Sequence, residues 1–502
     1  MAAIPEKILI VGGGTSGWMA ALHMQDAWGD KGANICLIES PTIGTVGVGE
    51  GTTPLLRNFF ARLGIPESEW MPPCNATYKC GISFPDWTTV EGYETYFHPF
   101  FSNRDKEYAQ IFRENCERRR DGYDIPLHPD HYFLTSALAR QRRSPIARDK
   151  PTDEGLYGYH FDAALMGEFL KGKATQRGVT LIQDTITDVK IGEDGDISHV
   201  ETQDNGAIDA DLFVDCSGFR GLLIRQALNE QPNSTKAYMF NDSAVAIPTP
   251  TEGEGEILSE TVSKAMRYGW VWHIPLSSRT GNGYVYSSDY ASEEEVEAEL
   301  REYLGEGADG VEALHLHWSP GRLEKHWKNN CVAIGLSQGF LEPLEALMIN
   351  VIQTSIERFT DAYERGDFTD RYQEDFNRHV NGFIDGILDY LQLHYKLNTR
   401  DDTAYWRDNR DNVNMSERLT NVLNAWDRNE NIDRVLAENI HQQLYPPLSW
   451  YCMLTGMGRF PEPKNGPLRL PTRQQQRVRI LSDEHAQAFY PHAEYLDQLY
   501  AG

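Results

Sequence analysis

The feature that most constrains the fold is a short apolar run followed by closely spaced glycines near the N-terminus. Residues 8–11 are four consecutive apolar residues, which is typical of a strand buried on both faces of a parallel sheet. Gly12, Gly14 and Gly17 follow in the spacing G-x-G-x-x-G. This spacing permits a tight turn, a close approach to a pyrophosphate and packing of the next helix against the strand. The pattern predicts a strand, turn and helix that bind a nucleotide.

A second apolar run, residues 35–38, ends in an acidic side chain. Glu39 lies 22 residues beyond Gly17, where a carboxylate binds a ribose hydroxyl in dinucleotide-binding units. Thr15 and Ser16 lie in the turn, where the free N–H groups of the helix meet the anion. The glycine spacing alone would fit an ordinary turn, but all these features together predict a dinucleotide site for FAD or NAD.

Composition narrows the class of protein. The 502 residues are enough for a large core with two or three lobes, and the formal net charge of −27 argues against nucleic acid or an anionic membrane as a partner. No run is long and apolar enough for a transmembrane segment, and the first strand begins too early for a signal peptide to precede it. The seven cysteines are scattered and form no C-x-x-C pair. We therefore expect a reduced, cytoplasmic protein without structural zinc or another metal.

Periodicity outlines the rest of the chain. Residues 66–155 are rich in proline, arginine and aromatic residues and are predicted to form a long excursion, with strands near 80–84 and a helix near 107–119. Further strands are predicted over residues 180–182, 186–191, 197–202, 212–215, 244–247, 269–274, 283–287 and 332–334. Helices are predicted over residues 161–177, 349–365, 370–396, 415–427 and 431–443. The charged tail after Pro461 is expected to be peripheral.

Two further stretches are expected to contact the dinucleotide. A glycine-rich strap at residues 45–54 includes Gly49 and Glu50 and follows the ribose-binding carboxylate. Ser337 and Gly339 follow a predicted buried strand. Their segment also has the G-x-S-x-G spacing of a hydrolase nucleophile. A hydrolase has no need of an N-terminal dinucleotide fingerprint, so we expect this serine to lie in a loop against the cofactor.

Four motifs give the chain a resemblance to the flavin-dependent halogenases typified by tryptophan halogenase, over nearly its whole length. They are the glycine fingerprint, Y-K-C-G at residues 78–81, W-V-W-H-I-P at residues 270–275 and E-P-L-E at residues 342–345. The W-x-W-x-I-P pattern is the most specific, because it separates these enzymes from the related aromatic monooxygenases.

The resemblance implies an α/β fold, with an FAD-binding, monooxygenase-like (Rossmann-type) core, sheet insertions and a helical C-terminal lobe. It also implies that reduced FAD, oxygen and a halide ion, either bromide or chloride, yield hypohalous acid. The oxidant then travels to a separate pocket and halogenates an aromatic ring by electrophilic substitution. The flavin supplies the hard step, whereas the protein supplies position and electrostatics.

By this resemblance, Lys79 is the catalytic lysine. It either holds and polarises hypohalous acid or carries the halogen as a haloamine; taken alone, it would pass for a surface lysine. Glu345 is by resemblance the carboxylate that stabilises the cationic ring intermediate and accepts its proton, although it could simply cap the helix near residue 349. Glu342 is a weaker candidate for the same role.

The tryptophan-rich motif has two interpretations. Trp270 and Trp272 lie two residues apart on a predicted strand, so their side chains share one face, as a core pair would. With Ile274 and Pro275 they complete the family pattern, which by resemblance forms a barrier between the substrate and the flavin.

The substrate-binding motifs are retained only in part. His98 and Phe100 match a segment that stacks on an indole in the family. In tryptophan halogenases an aromatic pair is followed, six residues later, by a Glu that binds the ammonium of the amino acid. Aligned on Trp450 and Tyr451, that position is Met457. We therefore expect an indole-like substrate other than free tryptophan.

The halide site also departs from the family. Enzymes that act on free tryptophan usually continue E-P-L-E with Ser-Thr-Gly, whose backbone amides help to bind the halide. This chain has Ala346, Leu347 and Met348 instead. We expect the amides to remain and the bulk of Leu347 and Met348 to reshape the halide pocket.

Residues 1–360 are expected to form the FAD-binding core and residues 361–502 a helical lobe that covers the substrate. The expected partners are a small aromatic substrate and a separate flavin reductase, since no second dinucleotide fingerprint is present. A homodimer remains an option. A flavin-dependent aromatic monooxygenase is the main alternative function, and a non-catalytic flavin-binding module is another.

Overall fold

The computed structural model describes residues 4–42, 44, 49–123, 125, 127–149, 157–251, 257–438, 444–460 and 472–501. In chain order the strands of these residues are β1 (Lys7–Val11), β2 (Asn34–Glu39), β3 (Glu50–Gly51), β4 (Thr77–Lys79), β5 (Gly81–Pro85), β6 (Thr95–Pro99), β7 (Arg143–Ala147), β8 (Gly158–Phe161), β9 (Thr180–Gln183), β10 (Ile186–Ile191), β11 (Ile197–Thr202), β12 (Gly206–Asp209), β13 (Leu212–Asp215), β14 (Asn233–Ser234), β15 (Ser243–Ala246), β16 (Thr261–Ala265), β17 (Gly269–Pro275), β18 (Thr280–Tyr286), β19 (Leu314–His317), β20 (Gly321–Arg322), β21 (Trp327–Lys328), β22 (Cys331–Ala333), β23 (Gly339–Phe340) and β24 (Phe489–Pro491).

The α-helices of the same residues are α1 (Thr15–Trp28), α2 (Leu55–Arg62), α3 (Glu67–Trp70), α4 (Lys106–Arg120), α5 (Leu134–Arg140), α6 (Ala163–Gln176), α7 (Glu293–Leu304), α8 (Met348–Arg365), α9 (Gln373–Leu397), α10 (Ala404–Asp411), α11 (Glu417–Asp427), α12 (Ile432–Ala437), α13 (Pro447–Gly456), α14 (Thr472–Ala486) and α15 (His492–Ala501). None of the helices in this described part of the chain has the length and hydrophobicity that a membrane span requires.

The nucleotide-binding strand lies inside a six-stranded sheet of order β21-β22-β13-β1-β2-β9. β1 pairs in parallel with β2 and β13, and β2 pairs in parallel with β9. Ile8, Leu9 and Ile10 have no exposed surface, because the two faces of this sheet are both covered, as is usual for parallel strands. The predicted buried strands and their parallel arrangement are confirmed.

A second, seven-stranded sheet of order β19-β15-β18-β17-β16-β5-β6 lies beside smaller sheets. The excursion predicted at residues 66–155 supplies β5 and β6 to the edge of this sheet and β4 to the three-stranded sheet β3-β8-β4. The excursion is therefore part of the framework. Its short strands carry no alternating pattern because they are buried on both faces, so periodicity did not reveal how they pair.

Two predicted boundaries differ from the structure for local reasons. The helix predicted over 161–177 begins at Ala163, because Phe161 ends β8 and Asp162 caps the helix by accepting from two backbone N–H groups. The helix predicted over 431–443 is α12, which ends at Ala437; residues 439–443 lie outside the described residues. The division at residue 360 stays a prediction, although this residue lies inside the continuous helix α8.

The tail is not peripheral, contrary to expectation. β24 pairs antiparallel with β7, and Nε2 of the buried His492 accepts a hydrogen bond of 3.1 Å from the backbone N–H of Tyr78. The hydroxyl of Tyr500 donates to the carbonyl of Ala76. The tail therefore supports β4, the strand that carries Lys79. Its many charges concealed this role, because only a few apolar and aromatic positions make the contact.

Candidate active site

The end of β1 forms a nucleotide-binding corner in which close backbone packing requires glycine. Gly12 has a φ of 115°, and a methyl group on it would lie 2.2 Å from the carbonyl oxygen of Cys216. A methyl group on Gly17 would lie 1.9 Å from the carbonyl oxygen of Gly12. The start of α1, with Thr15 and Ser16 as its first residues, therefore packs directly against the strand. Its free N–H groups face the position of an anionic ligand.

Glu39, at the end of β2, lies over this turn. A methyl group on Gly13 would lie 1.9 Å from Oε2 of Glu39. Nζ of Lys171, on α6, lies 2.6 Å from Oε1 of the same carboxylate. Lys171 is 132 residues from Glu39 along the chain, and no sequence pattern identified it. A carboxylate beside a glycine turn, with Gly14 at the N-cap of the helix, fits the ribose and pyrophosphate of FAD.

The second stretch expected at the cofactor offers backbone rather than a reactive hydroxyl. Oγ of Ser337 is buried within hydrogen-bond distance of the carbonyls of Asp215 and Ile334. A methyl group on Gly339 would lie 2.3 Å from the carbonyl oxygen of Gly321. This close approach reflects the antiparallel pairing of β23 with β20. A hydrolase nucleophile needs an accessible oxygen beside a base. This geometry is incompatible with the hydrolase alternative.

Part of the predicted strap joins the corner to the second sheet. Residues 45–48 lie outside the described residues, whereas Gly49 has a φ of 95°, and a methyl group on it would lie 3.7 Å from the side chain of Ile274. Glu50 and Gly51 form β3, which pairs antiparallel with β8. The described end of the strap, residues 49–51, therefore lies beside the strand that carries the W-x-W-x-I-P motif.

Lys79 ends β4 and has no exposed surface. Its Nζ lies 5.6 Å from the centre of the Phe100 ring and has no hydrogen-bond partner among the described residues. Burial lowers the pKa of Lys79 to about 7, although the negative charge of Glu345 acts in the opposite direction. A lysine in this state exchanges between ammonium and amine near neutral pH, as groups in active sites often do.

Glu345 is buried in the loop before α8. Its Oε1 lies 3.1 Å from Nε2 of His394, yet neither atom has a hydrogen-bond partner in the described part of the chain, so the approach is off the N–H axis. Burial raises the pKa of Glu345, but His394, His98 and Lys79 outweigh this effect, so its pKa is lowered overall. The carboxylate is therefore ionised at neutral pH and keeps an oxygen that can accept a proton.

Glu342, the other carboxylate of the motif, is fully engaged. Its two oxygens accept hydrogen bonds from the hydroxyl of Tyr395 and from Nδ2 of Asn241, the latter at 2.6 Å. The hydroxyl of Tyr405 donates in turn to Oδ1 of Asn241 at 3.0 Å. Burial raises the pKa of Glu342 to about 7. This side chain belongs to a closed network, in contrast to Glu345.

β17 carries the tryptophan motif between the strap and β4. Trp270 and Trp272 are buried on one face, with ring centroids 6.3 Å apart. Ile274 contacts the strap, and the carbonyl of Pro275 accepts a hydrogen bond of 2.6 Å from Oγ1 of Thr77. The motif thus lies next to Gly49 on one side and to β4, which carries Lys79, on the other.

The candidate halide site lies at the start of α8. Leu347 is the N-cap and Met348 the first residue of this helix, whose first N–H groups have no partner within the helix. Ala346 has a φ of 55°, a conformation that costs about 1 kcal/mol or more for a non-glycine residue. A cavity of about 30 Å³ adjoins Leu347, Met348 and Gly339, with room for one or two water-sized atoms.

Aromatic side chains form the wall opposite Lys79. The His98 ring lies 6.0 Å from Tyr390, whose ring stacks on Tyr445 at 3.5 Å. Trp450 meets the same Tyr390 edge-on at 5.1 Å. Burial lowers the pKa of His98 to about 4, so this ring is neutral. These aromatic side chains are therefore uncharged, as contacts with a flat aromatic ring require.

A model of the family described as tryptophan halogenase matches residues 7–469. The chain belongs to the tryptophan halogenase family. The tryptophan 6-halogenase SttH of Streptomyces toxytricini is 39% identical over 478 residues, which cover 90% of each chain. The chain is therefore an enzyme, a flavin-dependent halogenase with the α/β, Rossmann-type fold that the sequence predicted.

Solved structures agree with this halogenase over its whole length. A tryptophan C-6 flavin-dependent halogenase from taromycin biosynthesis is 35% identical with a TM-score of 0.86, covering 99% of this chain and 100% of its own. A flavin-dependent halogenase from Brevundimonas sp. BAL3 is 30% identical with a TM-score of 0.85, covering 99% of each chain. Similar folds therefore occur in a tryptophan C-6 halogenase and in a flavin-dependent halogenase for which no substrate is named.

Two predicted substrate residues of this halogenase lie away from the aromatic wall. Tyr451 points to the other side of α13, where its ring contacts Trp426 at 5.7 Å and the guanidinium of Arg113 at 5.0 Å. Met457 follows α13 and lines a separate cavity of about 430 Å³, together with Asp427 and Arg459. Helical geometry explains why Tyr451 faces away from the wall that contains Trp450, since adjacent residues on a helix point in different directions.

Several residues of the pocket were not identified from the sequence. His394, Tyr390 and Tyr445 surround Glu345, and the hydroxyls of Tyr96 and Tyr445 are buried without hydrogen-bond partners among the described residues. Their signal was weak, because buried aromatic residues in a helix or strand also serve as core. A methyl group on Gly456 would lie 2.5 Å from the Tyr96 ring, so this glycine holds α13 against the wall.

Proposed function

We propose that this halogenase uses reduced FAD, supplied by a separate flavin reductase, with oxygen and bromide or chloride to halogenate an indole-like aromatic substrate. One observation carries the proposal. The Nζ of Lys79 is fully buried, has no hydrogen-bond partner among the described residues, and lies beside Phe100 in the field of Glu345. Burying an amine without a partner costs free energy of folding. In the chemistry of the family this amine has a function, because it directs the oxidant.

The nucleotide-binding corner would hold FAD. The backbone of residues 12–17 would bind the pyrophosphate and Glu39 the ribose, with the strap and the backbone near Ser337 and Gly339 beside the flavin. The backbone amides of Leu347 and Met348 would bind the halide. When bound and reduced, FAD supplies the redox chemistry that converts oxygen and halide into hypohalous acid.

Lys79 then directs the oxidant. Its ammonium donates a hydrogen bond to the oxygen of hypohalous acid, which makes the halogen more electrophilic and aims it at one ring carbon. The carbon–halogen bond forms as the oxygen–halogen bond breaks, and the hydroxide takes a proton from the ammonium of Lys79 and leaves as water. Glu345 takes the proton of the substituted carbon and restores the aromatic ring. Glu342 takes no part, since its oxygens are already engaged.

The substrate would lie between the two parts of the chain. Residues 1–360 supply Lys79, His98 and Phe100, whereas residues 361–502 supply Tyr390 and Trp450 and cover the ring. Trp270 and Trp272 would keep it away from the flavin. We also propose a cytoplasmic location, since all seven cysteines are buried free thiols.

The preferred substrate is an indole-like ring that has no ammonium group attached. Met457 replaces the Glu that binds the ammonium in tryptophan halogenases, and in the cavity that Met457 lines, away from the aromatic wall, Asp427 is already paired with Arg459 at 2.8 Å. A buried ammonium without a partner would cost several kcal/mol. Indole and simply substituted indoles should therefore have a higher kcat/KM than tryptophan.

The test combines the enzyme with FAD, a flavin reductase, NADH, oxygen and either bromide or chloride, against a panel of indoles and phenols, with mass spectrometry of the products. Halogenated product that requires the halide and the enzyme is the expected result. A hydroxylated product would indicate a monooxygenase, and flavin turnover without product a binding module. Equimolar indole and tryptophan then compete in one reaction. Halotryptophan as the main product would contradict the proposed substrate preference.

A further inference from the structure

The edge of β4 that faces away from β8 is held by hydrogen bonds on both sides of Lys79. β4 is the last strand of the β3-β8-β4 sheet as the structure describes it, so one of its edges needs partners from elsewhere. On that edge the backbone N–H of Tyr78 donates to Nε2 of His492 at 3.1 Å, and the N–H of Cys80 donates to the carbonyl of Ser259 at 2.7 Å. Because N–H groups alternate in direction along a strand, that of Lys79 points to β8. The backbone of Lys79 therefore lies between these two outer bonds.

His492 joins this edge to the segment that leads into β16. Its Nδ1 lies 3.1 Å from the carbonyl oxygen of Ile257, two residues before the carbonyl of Ser259 that binds Cys80. The backbone N–H of His492 donates to the carbonyl of Arg142 at 2.9 Å, and its side chain is buried. The imidazole is thus held at both nitrogens and at its own backbone.

The partners of the imidazole determine which nitrogen carries the proton. The carbonyl of Ile257 can only accept, so Nδ1 of His492 carries the ring proton, and the N–H of Tyr78 can only donate, so Nε2 presents its lone pair. Burial lowers the pKa of His492 to about 4, which keeps the ring neutral with one N–H to donate. The neutral Nδ1–H tautomer satisfies both partners, whereas the other tautomer would satisfy neither.

The position of the Lys79 amine depends on its backbone, because no polar contact holds the end of the side chain. Nζ has no hydrogen-bond partner among the described residues, and it lies 5.6 Å from the centre of the Phe100 ring. Packing and the direction of β4 therefore determine where this nitrogen lies. The long side chain enlarges any small rotation of the backbone, and a misplacement of about 1 Å is enough to lower a reaction rate up to about a hundredfold.

We propose that His492 is a positioning residue for Lys79, which holds the backbone of Tyr78 and so fixes the point from which the lysine reaches the oxidant. The C-terminal tail then takes part in the reaction through the backbone of β4. The inference rests on the proposed function, because it concerns how the proposed catalytic lysine is placed.

Variants in the tail separate this positioning from general support of the fold. His492→Leu removes both ring hydrogen bonds at similar volume, whereas the amide of His492→Gln offers a donor and an acceptor about as far apart as the two ring nitrogens. Tyr500→Phe is the matched control, because it removes another bond from the tail to the same stretch, at the carbonyl of Ala76.

We expect His492→Leu to form about tenfold less halogenated product per NADH, the scale of a misplacement below 1 Å. FAD reoxidation should be unchanged, and free hypohalous acid captured by an added scavenger should rise correspondingly. His492→Gln and Tyr500→Phe should retain product formation within about twofold.

A double variant tests whether the effect passes through the lysine. In a Lys79→Met background, His492→Leu should lower the remaining single-turnover product no further, because there is then no lysine to position. A loss caused by a generally weakened structure would instead lower product formation by the same factor in both backgrounds.

A further measurement uses the wild type and needs no turnover, so it decides the case even where a variant does not fold. NMR of protein labelled with nitrogen-15 in histidine should show His492 as the neutral Nδ1–H tautomer. An Nε2–H tautomer would overturn this inference alone, as would wild-type product yield in His492→Leu, equal impairment of the leucine variant with either His492→Gln or Tyr500→Phe, or the same loss in the Lys79→Met background. A wild-type enzyme that halogenates no member of the panel would overturn the proposed function, and this inference with it.

Discussion

The nucleotide-binding corner and the Lys79 pocket differ in how their polar groups are satisfied. In the corner the carboxylate of Glu39 is paired with Lys171, and the glycines pack backbone against backbone. In the pocket, Nζ of Lys79, Oε1 of Glu345 and Nε2 of His394 are buried without hydrogen-bond partners among the described residues. Unpaired buried groups cost free energy of folding.

This difference separates binding from chemistry. A corner whose residues are already held in place needs only to recognise the cofactor, so its variants should alter affinity. A pocket with unpaired groups is prepared for species that complete its hydrogen bonds during the reaction, so its variants should alter turnover. Corner variants that change the turnover rate at saturating FAD, or pocket variants that change FAD affinity, would contradict this comparison.

The largest effect is expected for Lys79→Met, which should lower halogenation by roughly a thousandfold while FAD binding and reoxidation continue.

The same variant should be more stable than the wild type at pH 7. The pKa of Lys79 is about 7 in the folded protein against 10.5 for the unperturbed group, so the unfolded chain binds more protons between these values and stability rises with pH there. Methionine removes this cost.

Thermal or urea unfolding of both proteins measures the change, and Lys264→Met is the matched control. Lys264 pairs with Asp86 at the surface of β16, so its replacement should change stability little. Near-normal product formation by Lys79→Met would show that the lysine is structural.

Glu345→Gln should lower turnover by roughly a hundredfold, the scale of losing a positioned base. Glu342→Gln should do less, because both oxygens of Glu342 are bound by Tyr395 and Asn241 and do not face the reaction. Single-turnover product formation with prereduced flavin compares the two variants under the same conditions. If the order were reversed, the role of the base would move to Glu342.

The pH profile distinguishes the two roles that a lysine can have here. If the ammonium of Lys79 holds the oxidant, single-turnover halogenation should fall about tenfold for each pH unit above 7. Bromide is the better halide for this test, because its hypohalous acid is the weaker acid. Since Glu345 raises the pKa of Lys79, Glu345→Gln should move this limb to lower pH. A rise to a plateau above pH 7 would instead favour the haloamine.

The corner could be predicted from the sequence more completely than the Lys79 pocket. The corner is local: strand, glycines and helix are consecutive, and each glycine has a backbone reason that short-range rules contain. The pocket is not local, since it combines Lys79, Glu345 and His394 from segments that only the fold brings together. Motif resemblance identified the first two residues, whereas His394, Tyr390 and Tyr445 carry no motif. The tail was misjudged because its charges conceal the few residues that contact β4.

Gly13→Ala examines the corner directly. The methyl group would lie 1.9 Å from Oε2 of Glu39 and 2.7 Å from its Cβ, so the carboxylate must turn away and the turn itself must shift slightly. We expect FAD affinity to fall about tenfold, as for the loss of one hydrogen bond to a charged group, with unchanged product formation at saturating FAD. Gly167→Ala on α6, where a methyl group meets nothing within 4 Å, is the control.

The smallest effect is expected at the boundary between the two regions. Trp272 fills the space in front of Gly283, where a methyl group would lie 2.1 Å from its ring, so a shorter side chain would open a gap there. Trp272→Leu should keep FAD bound and fold, yet admit water or substrate towards the flavin. Hydrogen peroxide or hydroxylated product per NADH should rise severalfold, while the halogenated fraction falls. Trp426→Phe shortens another buried indole, on α11 away from β17, at the cost of its hydrogen bond to the carbonyl of Arg459, and should leave this coupling unchanged. Equal coupling in both variants would mean that the tryptophan pair is core packing, and the separation of cofactor from substrate would then have to rest on the strap.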